Sequence, residues 1–123
     1  MLIYIADDDA AYSDMLQTCL RDSGYEAELA RDVSELSAMI SKRRPDAVIV
    51  DMQMPSGGGL AAVKILTRGD GRPIAIVLCS GMPVDQVEKW FPGIRLMDFM
   101  QKPPDLDTLL SKLAALLTKA QSE

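Results

Sequence analysis

Three stretches of this chain are apolar from end to end: Leu2-Ile3-Tyr4-Ile5-Ala6, Ala47-Val48-Ile49-Val50 and Ile74–Leu78. A strand with no polar face must be covered on both sides, which points to a parallel sheet between two helical layers. Stripes of helical period separate these runs. Tyr12, Met15, Leu16, Cys19 and Leu20 define one helix face, and Gly24 closes that helix at the C′ position. Tyr25, Ala27 and Leu29 alternate with glutamates as a half-buried strand. Asp32-Val33-Ser34-Glu35 has the form of a capping box, opening a second helix with Val33, Leu36 and Ile40 inward and Pro45 beyond its end. Leu60, Val63 and Leu66 mark a third helix, ended by Gly69-Asp70-Gly71. Val84, Val87 and Phe91 mark a short fourth, stopped by Pro92-Gly93. Leu96–Met100 is the fifth strand. Leu106, Leu109, Leu110, Leu113, Leu116 and Leu117 form the stripe of a last helix, with Asp105 and Lys119 suited to its dipole.

The pattern is strand then helix, repeated through the chain, with no linker and no low-complexity segment. A length of 123 residues predicts one domain over 1–123, with a core of about 1–118. That length is too short for an eight-stranded α/β barrel. The predicted fold is therefore an open, doubly wound, flavodoxin-like α/β sheet of five parallel strands in the order 2-1-3-4-5, with five helices. In that order strands one and three are neighbours. Their carboxyl ends form the topological switch point, where such sheets bind ligands.

The composition narrows the function. A net charge of −5 argues against direct nucleic-acid binding. The chain has no histidine, which removes His-based zinc sites, Ser-His-Asp triads and histidine phosphorylation of this chain. Cys19 and Cys79 lie far apart, each on an apolar element, and read as buried free thiols. The opening MLIYIADDD is too short and too acidic for a signal peptide, and no run reaches membrane-spanning length. A cytoplasmic protein without membrane contact is the expectation.

The ends of the strands carry the chemistry. Strand one runs into Asp7-Asp8-Asp9, and strand three ends at Asp51. In the predicted order these acids meet in one cleft. Clustered carboxylates repel one another and are kept where a hard cation sits among them; oxygen ligands with room for waters suit Mg²⁺. Asp9 has a simpler role open to it, as N-cap or first-turn acid of the first helix. Strand four ends in Cys79-Ser80-Gly81, offering a hydroxyl, and strand five runs into Gln101-Lys102-Pro103, offering an ammonium. Lys102 at the mouth of an acidic cleft reads as a counter-charge that also grips an anion. The bond before Pro103 is one that tolerates the cis form. Acids, metal, hydroxyl and lysine are the parts that place and neutralise a phosphoryl group. Among them the nucleophile is a carboxylate, giving an acyl phosphate on Asp51. Gly57-Gly58-Gly59 would let the loop backbone come close to metal and phosphate.

These residues resemble the receiver domain of bacterial two-component response regulators, of the chemotaxis-regulator type. Asp7-Asp8 resembles the acidic pair, and Asp51 with Pro55 and Gly59-Leu60 resembles the phosphoacceptor loop. Ser80 followed by Gly81 resembles the switch Ser/Thr, Lys102-Pro103 the Lys-Pro pair, and Phe99 falls at the aromatic switch position. The resemblance implies that Asp51 takes a phosphoryl group from a sensor histidine kinase or a histidine phosphotransfer protein. It implies Mg²⁺ on Asp8, Asp51 and the main-chain carbonyl of Gln53, with Asp7 acting through water. It implies that Lys102 and Ser80 bind phosphate oxygens, and that Ser80 and Phe99 move to change the face of helix four, strand five and helix five toward a downstream effector protein or domain. Such a domain catalyses only its own phosphorylation and dephosphorylation.

Three departures stand out. The aromatic is Phe99 and not tyrosine, Met82-Pro83 follows the switch serine, and Trp90-Phe91 lies on or near the fourth helix with Phe91 expected in the core. The first two keep open a second reading, a degenerate receiver used as a phosphorylation-independent interaction module. A small metal-dependent phosphohydrolase shares the aspartyl-phosphate logic but lacks its cap domain here. A flavodoxin would need hydroxyls and amides where the first loop is acidic.

Overall fold

In a computed structural model the chain forms one five-stranded parallel sheet in the order β2-β1-β3-β4-β5. The structure describes residues 1–54, 57–68 and 71–122. Pro55 of the loop motif and Gly69-Asp70, expected to end the third helix, lie outside them. The elements run β1 (Leu2–Ala6), α1 (Ala10–Asp22), β2 (Glu26–Ala30), α2 (Val33–Lys42), β3 (Ala47–Asp51) and α3 (Gly58–Thr67), then β4 (Ala75–Ser80), α4 (Val84–Val87), β5 (Met97–Gln101) and α5 (Leu106–Gln121). A single 3₁₀ turn, Glu88–Trp90, extends α4.

The strands alternate between two cores. Ile3, Ile5, Ile49, Val77 and Cys79 pack with Leu16 and Leu20 of α1 and Leu109 and Leu113 of α5. Tyr4, Val48, Val50, Ile76 and Leu78 pack with Val33 and Leu36 of α2, Val63 and Leu66 of α3, and Val87 at the end of α4. Both faces of β1, β3 and β4 are thus dry, which is why these strands are apolar throughout.

The helix ends follow local chemistry. Asp32 caps α2 by accepting from the Glu35 amide at 2.7 Å, and the Glu35 carboxylate accepts from the Arg31 amide. Asp105 caps α5 through the Thr108 amide at 3.0 Å. Gly24 takes a φ of 95° just beyond α1, a conformation that favours glycine.

Several expectations need correction. The buried face of α1 is Ser13, Leu16 and Leu20, so Met15 points to solvent and Cys19 is only partly covered. The face of the helix against the sheet thus includes Ser13, which the apolar stripe omits. Leu60 of α3 is 45% exposed, its place inward taken by Ala62. The second strand is half-buried as its alternation implies: Ala27 and Ala30 of β2 are buried and Leu29 partly so, with Tyr25 partly buried just before it. The fourth helix is shorter than its spacing suggests, a single α turn before the 3₁₀ turn, and Phe91 is buried just past it. Both cysteines are free thiols as expected. Strands β4 and β5 each begin and end one or two residues later than their apolar runs imply, because the neighbouring ladder carries the pairing to Ser80 and Gln101.

Candidate functional site

Strand register builds the site. Ala6 lies opposite Val50, so the next residues, Asp7 and Asp51, reach the carboxyl edge of the sheet together. Asp51 pairs with Cys79, and Ser80 pairs with Gln101. The Lys102 amide then donates to the Ser80 carbonyl at 2.7 Å, holding the strand-five exit against the strand-four exit. Four loops therefore open onto one cleft.

Asp7, Asp8 and Asp51 bring one carboxylate oxygen each to within 4.8 Å of one another. Asp7 and Asp51 are 5% and 6% exposed, whereas Asp8 faces solvent. The Lys102 ammonium bridges the two buried acids, 3.2 Å from Asp7 Oδ2 and 3.1 Å from Asp51 Oδ1. The Gln53 amide also donates to Asp51 Oδ1, at 3.2 Å. Burial pushes the Asp51 carboxyl above the usual carboxylate range; the Gln53 hydrogen bond and Lys102 oppose the shift, and the nearby Asp7 charge adds to it. Burial works against the Lys102 charge, but its bonds to Asp51 and Asp7 outweigh it and hold the ammonium above the ordinary lysine value. Cys79, beneath the cleft, has its thiol pushed up to about 12 by burial, so it is not a nucleophile here.

The donor set fits a hard divalent cation. All three groups are carboxylates, one of them open to solvent, and one ammonium faces them. The Asp9 carboxylate is used otherwise. It accepts from the Tyr12 amide at 3.1 Å as N-cap of α1, while the Asp9 amide donates to Asp7 Oδ1 at 2.9 Å and orients that acid.

Ser80 is buried at the end of β4, and its hydroxyl oxygen accepts from the Met82 amide at 3.1 Å. Phe99 is partly buried on β5 with its ring 6.2 Å from that of Phe91. The Lys102–Pro103 peptide is cis. The glycines also permit a close approach within the protein itself. Gly58 has a φ of 64°, and a Cβ on it would lie 2.7 Å from the Met52 carbonyl oxygen. A Cβ on Gly59 would lie 2.9 Å from Met52 Cα. They let α3 begin directly against the residue after Asp51, so the close approach is to backbone.

The sequence pattern marks one residue at the site, Tyr12, only as part of a helix stripe. Tyr12 places its ring under Lys102, with the ammonium 5.6 Å from the ring centroid. The available signal was a phenol on an otherwise aliphatic stripe, one turn after three acids.

The comparisons agree with this architecture. The family model described as response regulator receiver domain matches residues 3–114. The chain belongs to the response regulator receiver domain family. Its relatives include the response regulator MprA of Mycobacterium avium, 35% identical over 124 residues, covering 100% of this chain and 54% of that protein. The chain thus spans about half the length of the curated relatives it matches. Among solved structures, the chemotaxis protein CheY4 of Vibrio cholerae superimposes with a TM-score of 0.83 at 26% identity, covering 94% of this chain and 97% of that one. The signal receiver domain of a signal transduction histidine kinase from Syntrophus aciditrophicus gives a TM-score of 0.83 at 30% identity, covering 96% and 90%.

Proposed function

We propose that this receiver domain is a phosphoacceptor switch with Asp51 as the acceptor. The observation that carries the reading is the single ammonium of Lys102 set between buried Asp7 and Asp51, with Asp8 beside them at the cleft mouth. Asp51 Oδ1 already accepts a hydrogen bond from the Gln53 amide and pairs with the Lys102 ammonium. Among the described residues none reaches Oδ2, and that oxygen is the attacking atom. The new bond joins Oδ2 to phosphorus; the bond to the imidazole nitrogen of a phosphohistidine breaks, and that nitrogen keeps the electron pair, leaving as neutral imidazole with the proton on its other ring nitrogen. The donor is a sensor histidine kinase or a histidine phosphotransfer protein. Asp8, Asp51 and the Gln53 carbonyl, with Asp7 through water, would hold Mg²⁺, which when bound neutralises phosphoryl oxygens.

Lys102 then exchanges its carboxylate contact on Asp51 for a phosphoryl oxygen, a charge-assisted bond. Ser80 gives up the Met82 amide and donates its hydroxyl proton to another oxygen. Phe99 turns inward toward the space vacated, which alters its packing on Phe91 and the surface of α4, β5 and α5. That surface is read by a downstream effector protein or domain in the cytoplasm. Among the described residues no helix is long and apolar enough to cross a membrane. We assign the domain no catalysis beyond its own phosphorylation and dephosphorylation.

The test is intact mass after incubation with Mg²⁺ and acetyl phosphate, with Asp51→Asn alongside. A gain of roughly 80 Da in the wild type alone supports the acceptor role. No gain, with beryllofluoride leaving the fluorescence of Trp90 unchanged, would replace this reading with that of a fixed docking module. Trp90 suits the purpose as the chain's single tryptophan, half exposed beside α4.

A further inference from the structure

We propose that Tyr12 is a positioning residue for Lys102, its ring face holding the ammonium in register for the incoming phosphoryl group. The inference rests on the phosphoacceptor reading of Asp51.

Two independent observations meet at this side chain. The first is geometric: the Lys102 ammonium lies 5.6 Å from the Tyr12 ring centroid, within cation–π range. Two of its hydrogen-bonding directions are taken by Asp7 at 3.2 Å and Asp51 at 3.1 Å. The ring closes another side, so the ammonium is bounded by two carboxylates and a π face. The second observation concerns the hydroxyl. Tyr12 Oη is fully enclosed and makes no hydrogen bond among the described residues. Burial, and then the negative groups around it, hold the phenol protonated. It is a buried donor without an acceptor, which costs stability. The hydroxyl therefore does not explain why a tyrosine stands here, and the ring remains as the useful part.

The position favours this role. Tyr12 sits in the first turn of α1, and its own amide is tied to the Asp9 carboxylate at 3.1 Å. The ring is thereby anchored to the loop that carries Asp7 and Asp8. A cleft of about 310 Å³, lined by Asp9, Tyr12, Lys102, Pro103 and Pro104, opens beside the lysine and the ring. A flexible four-carbon side chain beside open space can swing outward. The ring gives the ammonium a reason to stay. When Asp51 becomes an acyl phosphate its charge as a partner is lost, and the ring and Asp7 remain as fixed supports while Lys102 shifts to the phosphoryl oxygen.

The test is a double-mutant cycle of Tyr12 and Lys102, read by beryllofluoride affinity in excess Mg²⁺ and by the acetyl phosphate labelling rate. Tyr12→Phe keeps the ring, removes the orphan hydroxyl, and is expected to match the wild type in both readouts with equal or higher thermal stability. Tyr12→Leu is expected to weaken beryllofluoride binding and labelling roughly 3- to 10-fold. In a Lys102→Ala background the same change is expected to do nothing further. Should Tyr12→Leu fold poorly, replacing Tyr12 by phenylalanines of increasing ring fluorination keeps the shape, and affinity should fall stepwise with fluorination. Equal losses in Tyr12→Phe and Tyr12→Leu, full additivity with Lys102→Ala, or a flat fluorination series would each overturn the proposal. Failure of the wild type to label at Asp51 at all would instead overturn the phosphoacceptor reading on which it rests.

Discussion

Helices α4 and α5 each follow a strand that delivers a site residue, Ser80 and Lys102 respectively, yet they are held very differently. Helix α5 has 16 residues, a side-chain cap from Asp105 and four buried leucines. The Lys112 ammonium pairs with Asp98 at 3.0 Å, and Lys119 donates to the Arg95 carbonyl at 3.0 Å, so charged contacts fasten it to β5 and the loop before it. Helix α4 has 4 residues and a 3₁₀ turn, starts at Pro83 without a side-chain cap, and buries only Val87 within its span. A helix that short cannot stand on its own hydrogen bonds and depends on what it packs against. Its support is Val87 and, just past it, Phe91. The pair teaches that the lysine side of the site is built on a fixed platform and the serine side on a lightly held one. In the proposed switch, the lightly held side is the one that moves.

The largest expected effect sharpens that contrast directly. Leu113 is fully buried, and Leu113→Ala should destabilise the domain by about 3 kcal/mol in urea unfolding. Val87→Ala removes fewer atoms from a segment with fewer supports and should cost about 1.5 kcal/mol. Equal costs would break the comparison. Amide exchange in the native state gives the next test. The amides of Leu113 and Leu117 should exchange only through global unfolding, and that of Phe91 through a local opening about 2 kcal/mol easier. Uniform protection would show α4 to be as firmly held as α5.

A smaller effect is expected at Gly93, where φ is 76° and a Cβ would meet nothing within 4 Å. Gly93→Ala should therefore cost about 1 kcal/mol of backbone strain alone, measured by thermal unfolding. The smallest effect concerns pH. Hydrogen bonds from the Thr108 hydroxyl and then its amide hold the Asp105 carboxyl below its ordinary value. A lowered carboxyl contributes stability above its unfolded pKa, about pH 4, and loses it as pH falls through the lowered folded value. Asp105→Ala should be less stable than the wild type at pH 7, and the difference should close on acidification below about pH 4.

Much of the site was legible before the fold was seen. Asp7, Asp8, Asp51, Ser80 and Lys102 each stand at the end of an apolar run, and strand order alone brings such ends together. Asp9 was legible as a cap because it precedes a helical stripe. Side-chain facing was less legible. Met15 and Leu60 continue apolar stripes yet lie at 48% and 45% exposure, because the helix rotation that seats Leu16 and Ala62 against the sheet turns them outward. Periodicity defines an apolar stripe but not which edge of it faces the sheet. The glycines after Asp51 were legible as a close approach, but not as an approach to the Met52 backbone.

The sequence by itself determined the alternation of elements, the two-sided burial of the sheet and the identity of the residues at the strand ends. Those follow from local rules: apolar runs, helical periods, caps and breakers act over a few residues. Only the tertiary structure decided that Lys102 spans both buried acids, that Tyr12 lies beneath it, and that α4 ends after one turn. Each depends on distances between segments far apart in the chain, and those distances come from strand register and helix seating, which no short-range pattern encodes.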